Sequence, residues 1–328
     1  MGAGSWGTTF AQVLCDAGTS AVLYARRPSQ AKAIGELHEN PDYLPGVTLT
    51  SVLSATSDAA AALDGADLVA FAVPAQSLRA NLLEWKALIP AGALLVSLIK
   101  GIELGTRQRM SEVLAAELGA DPARVAVVAG PNLAGEIVRR QFTGTVVACA
   151  SPDGALALQG ACHTPYFRPY TNTDVVGCEL GGSVKNIIAI AVGIAVAMGL
   201  GDNTRALLIT RGLAEMARLG AVLGAQPQTF AGLAGLGDLV ATCCSPLSRN
   251  RTFGENLGRG MSVAEAAALS QTAEGRASCE PVLELARARG VEMPITEQMH
   301  AILHHGKSPR EAIQELMARR GTSEGSGP

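Results

Sequence analysis

Five lysines stand against twenty-one arginines in this 328-residue chain, and two of the five sit where an ammonium group could do chemistry. Lys185 opens a strongly apolar stretch. Desolvation there penalises a charge that has neither partner nor task, and burial lowers a lysine pKa toward the range useful for proton transfer. A lysine snorkelling from a helix end is the bland alternative. Lys100 follows the apolar run 93–99 and precedes Gly101, which places it at the carboxyl edge of a parallel strand, where ligands of open α/β sheets bind. An ordinary strand-end lysine would look the same. Asp238 lies in a glycine-rich, nearly uncharged stretch, so it is either a helix cap or a carboxylate reserved for a partner. Thr242, one helical turn later, shares its face. Ser248-Arg249-Asn250 sets a guanidinium between two hydrogen-bonding side chains, which is either a cradle for the oxygens of a phosphomonoester or a polar loop.

A second constellation suits a larger anion. Gly2-Ala3-Gly4-Ser5-Trp6-Gly7 is a GxGxxG run leading into a helical pattern, so backbone amides and a helix N-terminus would face a pyrophosphate. Alone the motif is weak; its place before an amphipathic helix and a second strand strengthens it. The motif ordinarily follows a strand, yet only Met1 precedes it here. In the doubly wound order that strand lies mid-sheet, and without it 21–24 and 68–73 lack the neighbour both would pair with. The expectation is a start upstream of this Met. Where a NAD-selective site offers Asp or Glu after the second strand, this chain has Ala25-Arg26-Arg27. Guanidinium groups there suit a 2′-phosphate and favour NADPH over NADH, the alternative being a solvated surface pair.

The elements that must position these residues fall into two halves. From 1 to 175, short apolar runs alternate with amphipathic stretches, the pattern of a Rossmann-like, doubly wound α/β domain with a parallel sheet and its first strand missing. Strands are expected at 21–24, 68–73, 93–98, 125–129, 145–150 and 167–170, with helices such as 6–17 and 77–88. From 176 to 318 apolar positions recur at helical spacing, through 185–198, 207–223, 263–270, 279–289 and 297–304. This half should be an all-helical domain. The polar, aperiodic stretch 319–328 reads as a disordered tail.

Bulk composition limits the choices further. With 48% hydrophobic and 17% charged residues and a net charge of -3, the chain is a globular protein with no basic block for general nucleic-acid binding. Seven scattered cysteines, an odd number in apolar surroundings, read as reduced cytoplasmic thiols. No metal is expected, because Cys243-Cys244 lacks paired ligand spacing and the histidines do not complete a set. His163, His300, His304 and His305 lie outside every motif. No signal peptide fits the N-terminus. The apolar run 187–200, about 14 residues, is shorter than the ~20 that span a bilayer, so a buried core helix is the reading.

The motifs become specific in combination. Ser97-Leu98-Ile99-Lys100-Gly101-Ile102-Glu103, Gly130-Pro131-Asn132-Leu133-Ala134-Gly135-Glu136, Gly181-Gly182-Ser183-Val184-Lys185-Asn186, Gly201-Asp202-Asn203, Gly235-Leu236-Gly237-Asp238-Leu239 and Ser248-Arg249-Asn250 occur in this order. In order and spacing the chain resembles the glycerol-3-phosphate dehydrogenases, from Gly2 to about Arg319. The resemblance implies hydride transfer from NADPH, or less readily NADH, to C2 of dihydroxyacetone phosphate. The product would be sn-glycerol 3-phosphate, for glycerophospholipid synthesis. It further implies that Lys185 is the general acid and base and that Lys100 contacts both cofactor and substrate. Asp238, with Thr242, would contact substrate and orient Lys185. Arg249 would anchor the phosphate beside Ser248 and Asn250, with Gly130 and Asn132 on the other wall.

Beyond Gly2, Gly4 and Gly7, the cofactor contacts implied are Ser5, Trp6, Arg26, Arg27, Tyr43, Lys100, Ala134, Arg249, Thr272 and Glu274. The family commonly has Ser where Asn132 stands and Val where Thr272 stands. Two rivals remain open. A related two-domain dehydrogenase for another hydroxy acid would turn over a carboxylate ketone and leave dihydroxyacetone phosphate untouched. A non-catalytic NADP-binding protein would bind cofactor without oxidising it. A homodimer is left open; no nucleic-acid partner and no membrane span are expected.

Overall fold

The computed structural model describes residues 1–269 and 273–319; Thr272 and all of the expected tail except Arg319 lie outside the described residues. The chain divides into two compact units, Met1–Lys100 with Arg109–Cys178, and Gly101–Gln108 with the chain from Glu179 onward.

The first unit carries nine strands: β1 (Val22–Tyr24), β2 (Glu39–Asn40), β3 (Leu44–Thr48), β4 (Ser54–Thr56), β5 (Leu68–Phe71), β6 (Leu94–Ser97), β7 (Val125–Ala129), β8 (Thr143–Cys149) and β9 (Phe167–Asn172). Helices α1 (Ser5–Asp16), α2 (Pro28–Glu36), α3 (Ala59–Leu63), α4 (Leu78–Trp85), α5 (Met110–Leu118), α6 (Ala134–Ile137) and α7 (Pro152–Cys162) connect them. Strands β5 to β9 form one sheet in chain order, while β1 pairs in parallel with β4 as a separate two-stranded ribbon. Read across, the order is β4, β1, a gap, then β5, β6 and β7. That is the doubly wound 3-2-1-4-5-6 arrangement with its first position empty. As the sequence requires, β1 and β5 do not pair with each other.

Both faces of the five-stranded sheet are covered, so its strands are apolar on alternate residues in both directions. Along β5, Leu68 and Ala70 pack toward Phe10, Leu14, Leu158 and Phe167, whereas Val69 and Phe71 pack toward Leu78, Leu82, Trp85 and Val113. A third cluster gathers Leu23, Ile34, Leu44, Val47 and Leu53 beneath the ribbon.

The structure departs from the expected parallel sheet at one place, where β7 and β8 pair antiparallel. Their connection holds only the four-residue α6, too short a helix to recross the sheet. Strands β2, β3 and β4 are additional to those expected. They are two, five and three residues long, β3 contains Pro45 and Gly46, and β4 is Ser-Ala-Thr, so neither length nor composition marks them as strands.

Among its described residues the second unit is built from helices. They are α8 (Val175–Ala197, which begins at the end of the first unit), α9 (Asp202–Val222), α10 (Pro227–Ala231), α11 (Asp238–Cys244), α12 (Arg249–Gly258), α13 (Val263–Leu269), α14 (Glu274–Ala288), α15 (Pro294–His305) and α16 (Pro309–Ala318). A π-helical turn, Leu233–Gly237, leads into α11. Helix α8 corrects two expectations. It starts ten residues before Lys185, so that lysine lies inside the helix, and Gly181 is a packing position within it. At 23 residues it is also long and apolar enough to cross a membrane, but 89% of its apolar window is buried inside the protein. It is the core helix of this unit, with Val184, Ile187, Ile188 and Ile190 fully enclosed.

Candidate active site

In the second unit the structure brings together three of the residues singled out from the sequence. Lys185 Nζ donates to Asp238 Oδ1 at 2.6 Å and to Thr242 Oγ1 at 2.5 Å, and Thr242 Oγ1 donates to Asp238 Oδ1 at 3.3 Å. The side chains of Lys185 and Asp238 are only 7% and 2% exposed. A buried ion pair of this kind adds little net stability, yet removing either partner leaves an uncompensated charge.

The pairing depends on glycine. A Cβ on Gly181 would stand 2.2 Å from the Ala234 carbonyl oxygen, so only glycine lets the Leu233–Gly237 turn lie against α8 and deliver Asp238, the first residue of α11, to Lys185. Burial also shapes the chemistry beside the pair: it pushes the Cys243 thiol up to about 12, so that sulfur stays protonated and is no nucleophile.

Ser248-Arg249-Asn250 is the start of a helix. Ser248 is the N-cap of α12, its hydroxyl accepting from Arg251 N at 3.2 Å. Arg249 is the first helical residue. Asn250 is buried, its Nδ2 donating to Asn186 Oδ1 at 2.9 Å and its Oδ1 accepting from Gly275 N at 2.9 Å. The amide of Asn250 therefore ties α12 to the residue next to Lys185 and to the first turn of α14, where Glu274 lies. Backbone contact supports the tie, since a Cβ on Gly254 would stand 2.1 Å from the Ile190 carbonyl oxygen. Sequence reading missed Asn186 and Gly275 as partners, because nothing local signals a bond between segments 64 and 25 positions apart.

In the first unit, Lys100 lies just past the carboxyl end of β6, and its Nζ donates to the Gly130 carbonyl oxygen, just past β7, at 3.2 Å. Two residues on, both polar atoms of the Asn132 amide are buried without a hydrogen-bond partner among the described residues. The indole N–H of Trp6 is in the same state. Buried polar atoms left so are costly unless a ligand satisfies them.

The glycine-rich turn fits a pyrophosphate. Gly2 has φ 108°, a conformation that favours glycine. A Cβ on Gly7 would meet the Gly2 carbonyl oxygen at 2.0 Å, whereas Gly4 has open space on its Cβ side. Helix α1 begins directly after Gly4 with no side-chain cap and no acidic residue in its first turn, leaving amide N–H groups and the positive end of the helix dipole for an anion. The turn is held by residues the sequence did not announce. Gln30 Nε2 and Asn40 Nδ2 both donate to the Ala3 carbonyl oxygen, at 2.7 and 3.0 Å, and Asn40 also donates to Thr8 Oγ1. Ser5 Oγ donates to the Tyr43 carbonyl oxygen at 3.1 Å, and Thr9 Oγ1 to that of Ala134 at 3.4 Å.

Arg26 is exposed, and Arg27, the N-cap of α2, forms an ion pair with Asp42 at 2.5 Å in which both side chains are about half exposed. Among the described residues no group of three or more His, Cys, Asp or Glu is placed to hold a metal ion.

Comparison with known proteins bears on both units. Residues 1–155 match the family described as NAD-dependent glycerol-3-phosphate dehydrogenase N-terminus, and residues 174–314 the one described as NAD-dependent glycerol-3-phosphate dehydrogenase C-terminus. A Streptomyces griseus glycerol-3-phosphate dehydrogenase (NAD(P)+) is 61% identical over 322 residues, 97% of this chain and 95% of the relative. The enzyme of that name from Thermobifida fusca is 60% identical over 321 residues, 97% of this chain and 96% of its own length. The crystal structure of glycerol-3-phosphate dehydrogenase from Coxiella burnetii is 41% identical, with a TM-score of 0.92 over 97% of each chain.

Proposed function

The chain belongs to the NAD-dependent glycerol-3-phosphate dehydrogenase family, and from that premise we propose that it reduces dihydroxyacetone phosphate reversibly to sn-glycerol 3-phosphate. The observation that carries this reading is the buried triangle of Lys185, Asp238 and Thr242. A cation held at fixed geometry in an apolar interior can give up a proton at a fixed point, and its carboxylate partner favours the charged form that has one to give.

A bound nicotinamide dinucleotide supplies the hydride that adds to C2. As the C2 oxygen gains negative charge, Lys185 delivers a proton to it from Nζ, and in the reverse direction takes that proton back. Asp238 and Thr242 hold the amine in place through both. Lys100 adds positive charge that polarises the ketone. Arg249 grips the phosphate oxygens at the positive end of α12, with the hydroxyl of Ser248 beside it. Asn250 contributes chiefly by fixing that helix end, since its amide is already engaged with Asn186 and Gly275. Anchoring the remote phosphate aligns the reacting carbon. Gly130 and the unsatisfied amide of Asn132 complete the substrate set.

For the cofactor, the turn Gly2–Gly7 and the first amides of α1 take the pyrophosphate, with Ser5, Trp6, Tyr43, Ala134 and Glu274 as further contacts. Arg26 and Arg27 take a 2′-phosphate, which makes NADPH the preferred donor and NADH the poorer one. Seven free thiols support a reducing, cytoplasmic setting.

The test is an absorbance assay at the nicotinamide band with NADPH and with NADH. Oxidation on adding dihydroxyacetone phosphate, with none on adding carboxylate ketones, is the expected result. Turnover of a carboxylate ketone alone would select the hydroxy-acid alternative, and cofactor binding with no turnover the non-catalytic one.

A further inference from the structure

The hydrogen-bond ladder of α1 begins at Gly4, whose carbonyl oxygen accepts from Thr8 N at 2.9 Å. Ala3 stands one position earlier, so its carbonyl lies outside that ladder and its direction is set by other groups. Two side-chain amides set it. Gln30 Nε2 and Asn40 Nδ2 donate to the Ala3 oxygen and occupy both of its lone pairs.

Asn40 is fully buried, and each of its polar atoms is engaged. The second proton of Nδ2 goes to Thr8 Oγ1 at 2.8 Å, while Oδ1 accepts from Gln30 Nε2 at 3.1 Å. A buried amide satisfied at both ends is rigidly held. The backbone that follows repeats the tie. Tyr43 N donates to the Asn40 carbonyl oxygen at 3.1 Å, and the Tyr43 carbonyl oxygen accepts from Ser5 Oγ at 3.1 Å. The turn from Asn40 to Tyr43 therefore grips the chain at Ala3 and at Ser5, on either side of Gly4.

A trans peptide unit is planar, with its C=O and N–H on opposite sides. Fixing the Ala3 oxygen toward Asn40 and Gln30 therefore aims the Gly4 N–H away from them. It also keeps the negative end of that carbonyl from facing an anion bound at the N–H. We propose that Asn40, assisted by Gln30, is the positioning residue that aims the Gly4 amide at the pyrophosphate of the dinucleotide. This rests on the reading that the Gly2–Gly7 turn takes that group. Because NADPH and NADH share the pyrophosphate, the contribution of Asn40 is the same for both. Gln30 Oε1 also accepts from Arg27 Nη2, at 3.5 Å, so any influence of Gln30 on a 2′-phosphate is separated by comparing the two cofactors.

The experiment measures binding in place of turnover, by isothermal titration of NADPH, NADH, ADP-ribose and adenosine 2′-monophosphate, the last of which has no pyrophosphate. Asn40→Leu keeps the size of the side chain and removes its donors; Gln30→Met does the same at a half-buried position on α2. Asn40→Leu should weaken NADPH, NADH and ADP-ribose by a common factor of about ten, and Gln30→Met by about two- to fivefold, as expected for the loss of one or two hydrogen bonds. Binding of adenosine 2′-monophosphate should stay within about twofold of the parent. Unchanged dissociation constants beside a lower thermal midpoint would make the two amides structural and overturn the proposal. Weakening confined to NADPH, or an equal loss for adenosine 2′-monophosphate, would overturn it too. If Asn40→Leu does not fold, Gln30→Met decides by the same criteria. Cofactor binding by the parent chain with no turnover of dihydroxyacetone phosphate would unseat the substrate reading and leave this one standing.

Discussion

The ammonium of Lys185 and the carboxylate of Asp238 lie 2.6 Å apart although 53 positions separate them in sequence, and both are enclosed by an apolar interior. Because the pair is buried, its chemical and its structural contributions can be separated. Lys185→Met should lower kcat by about 10²–10⁴-fold, the usual contribution of a positioned acid, with NADPH binding changed less than twofold. It should also destabilise the fold by about 3–5 kcal/mol by stranding Asp238. The double variant Lys185→Met/Asp238→Asn should recover most of that stability and none of the turnover. Steady-state kinetics and urea titration of both proteins test this. Retention of more than a tenth of kcat in Lys185→Met would make the lysine purely structural.

Asn250 bridges Asn186 and Gly275 N, so Asn250→Ala removes two buried hydrogen bonds at once. A loss of about 1–3 kcal/mol in stability is expected. A double-mutant cycle with Asn186→Ala should give a coupling energy of about 0.5–3 kcal/mol. If α12 serves to present Arg249, the KM for dihydroxyacetone phosphate should rise in Asn250→Ala more than kcat falls. A change confined to thermal stability would limit Asn250 to holding the fold.

Much of this architecture could be read in the chain because the sheet is buried on both faces. Runs such as Leu68–Phe71 and Val125–Ala129 are apolar throughout and bounded by turn residues, which is how a covered parallel strand looks. Strands at the rim escaped notice for the opposite reason: β3, with Pro45 and Gly46 at its centre, has a sequence that otherwise marks a turn. Within the site, residue types were legible, but apart from the orientation of Lys185 by Asp238 and Thr242, which the resemblance implied, partners were not. Lys185 stood out as a charge in an apolar run, whereas nothing local showed that Gly181 has the Ala234 carbonyl against it. Asn40 and Gln30 look like ordinary surface amides, and only the fold reveals that both converge on Ala3. Local periodicity reports which face of an element is covered; it carries no record of which distant segment covers it.

Arg27 is already matched by Asp42, and that carboxylate would repel a 2′-phosphate bound at the same guanidinium. Asp42→Asn should therefore lower the KM for NADPH about two- to fivefold, a modest effect because both groups are half exposed and screened by solvent. Arg26→Ala should raise the same KM by a similar factor. The KM for NADH should move less than twofold in either variant, since NADH has no 2′-phosphate to read the charge. Parallel shifts for both cofactors would remove these arginines from the specificity determinant.

Glu215 supplies a stability signal that can be followed by pH alone. It lies buried on α9, and its carboxylate accepts from Ile295 N at 2.5 Å, Thr296 N at 3.2 Å and Thr296 Oγ1 at 3.1 Å, capping the first turn of α15. Burial raises its pKa from 4.5 to about 7 and outweighs these bonds and the nearby Arg218, all of which lower it. Since the folded pKa is the higher one, the folded state holds the proton more tightly than the unfolded chain. The resulting stabilisation is fully present below pH 4.5 and is lost as pH rises through 7, about 3 kcal/mol in all. Glu215→Gln cannot titrate, so the difference in unfolding free energy between it and the parent protein should shift by that amount between pH 4.5 and pH 8. Urea titrations at several pH values across this interval measure the shift, and parallel curves for the two proteins would show that folding leaves the Glu215 pKa unchanged.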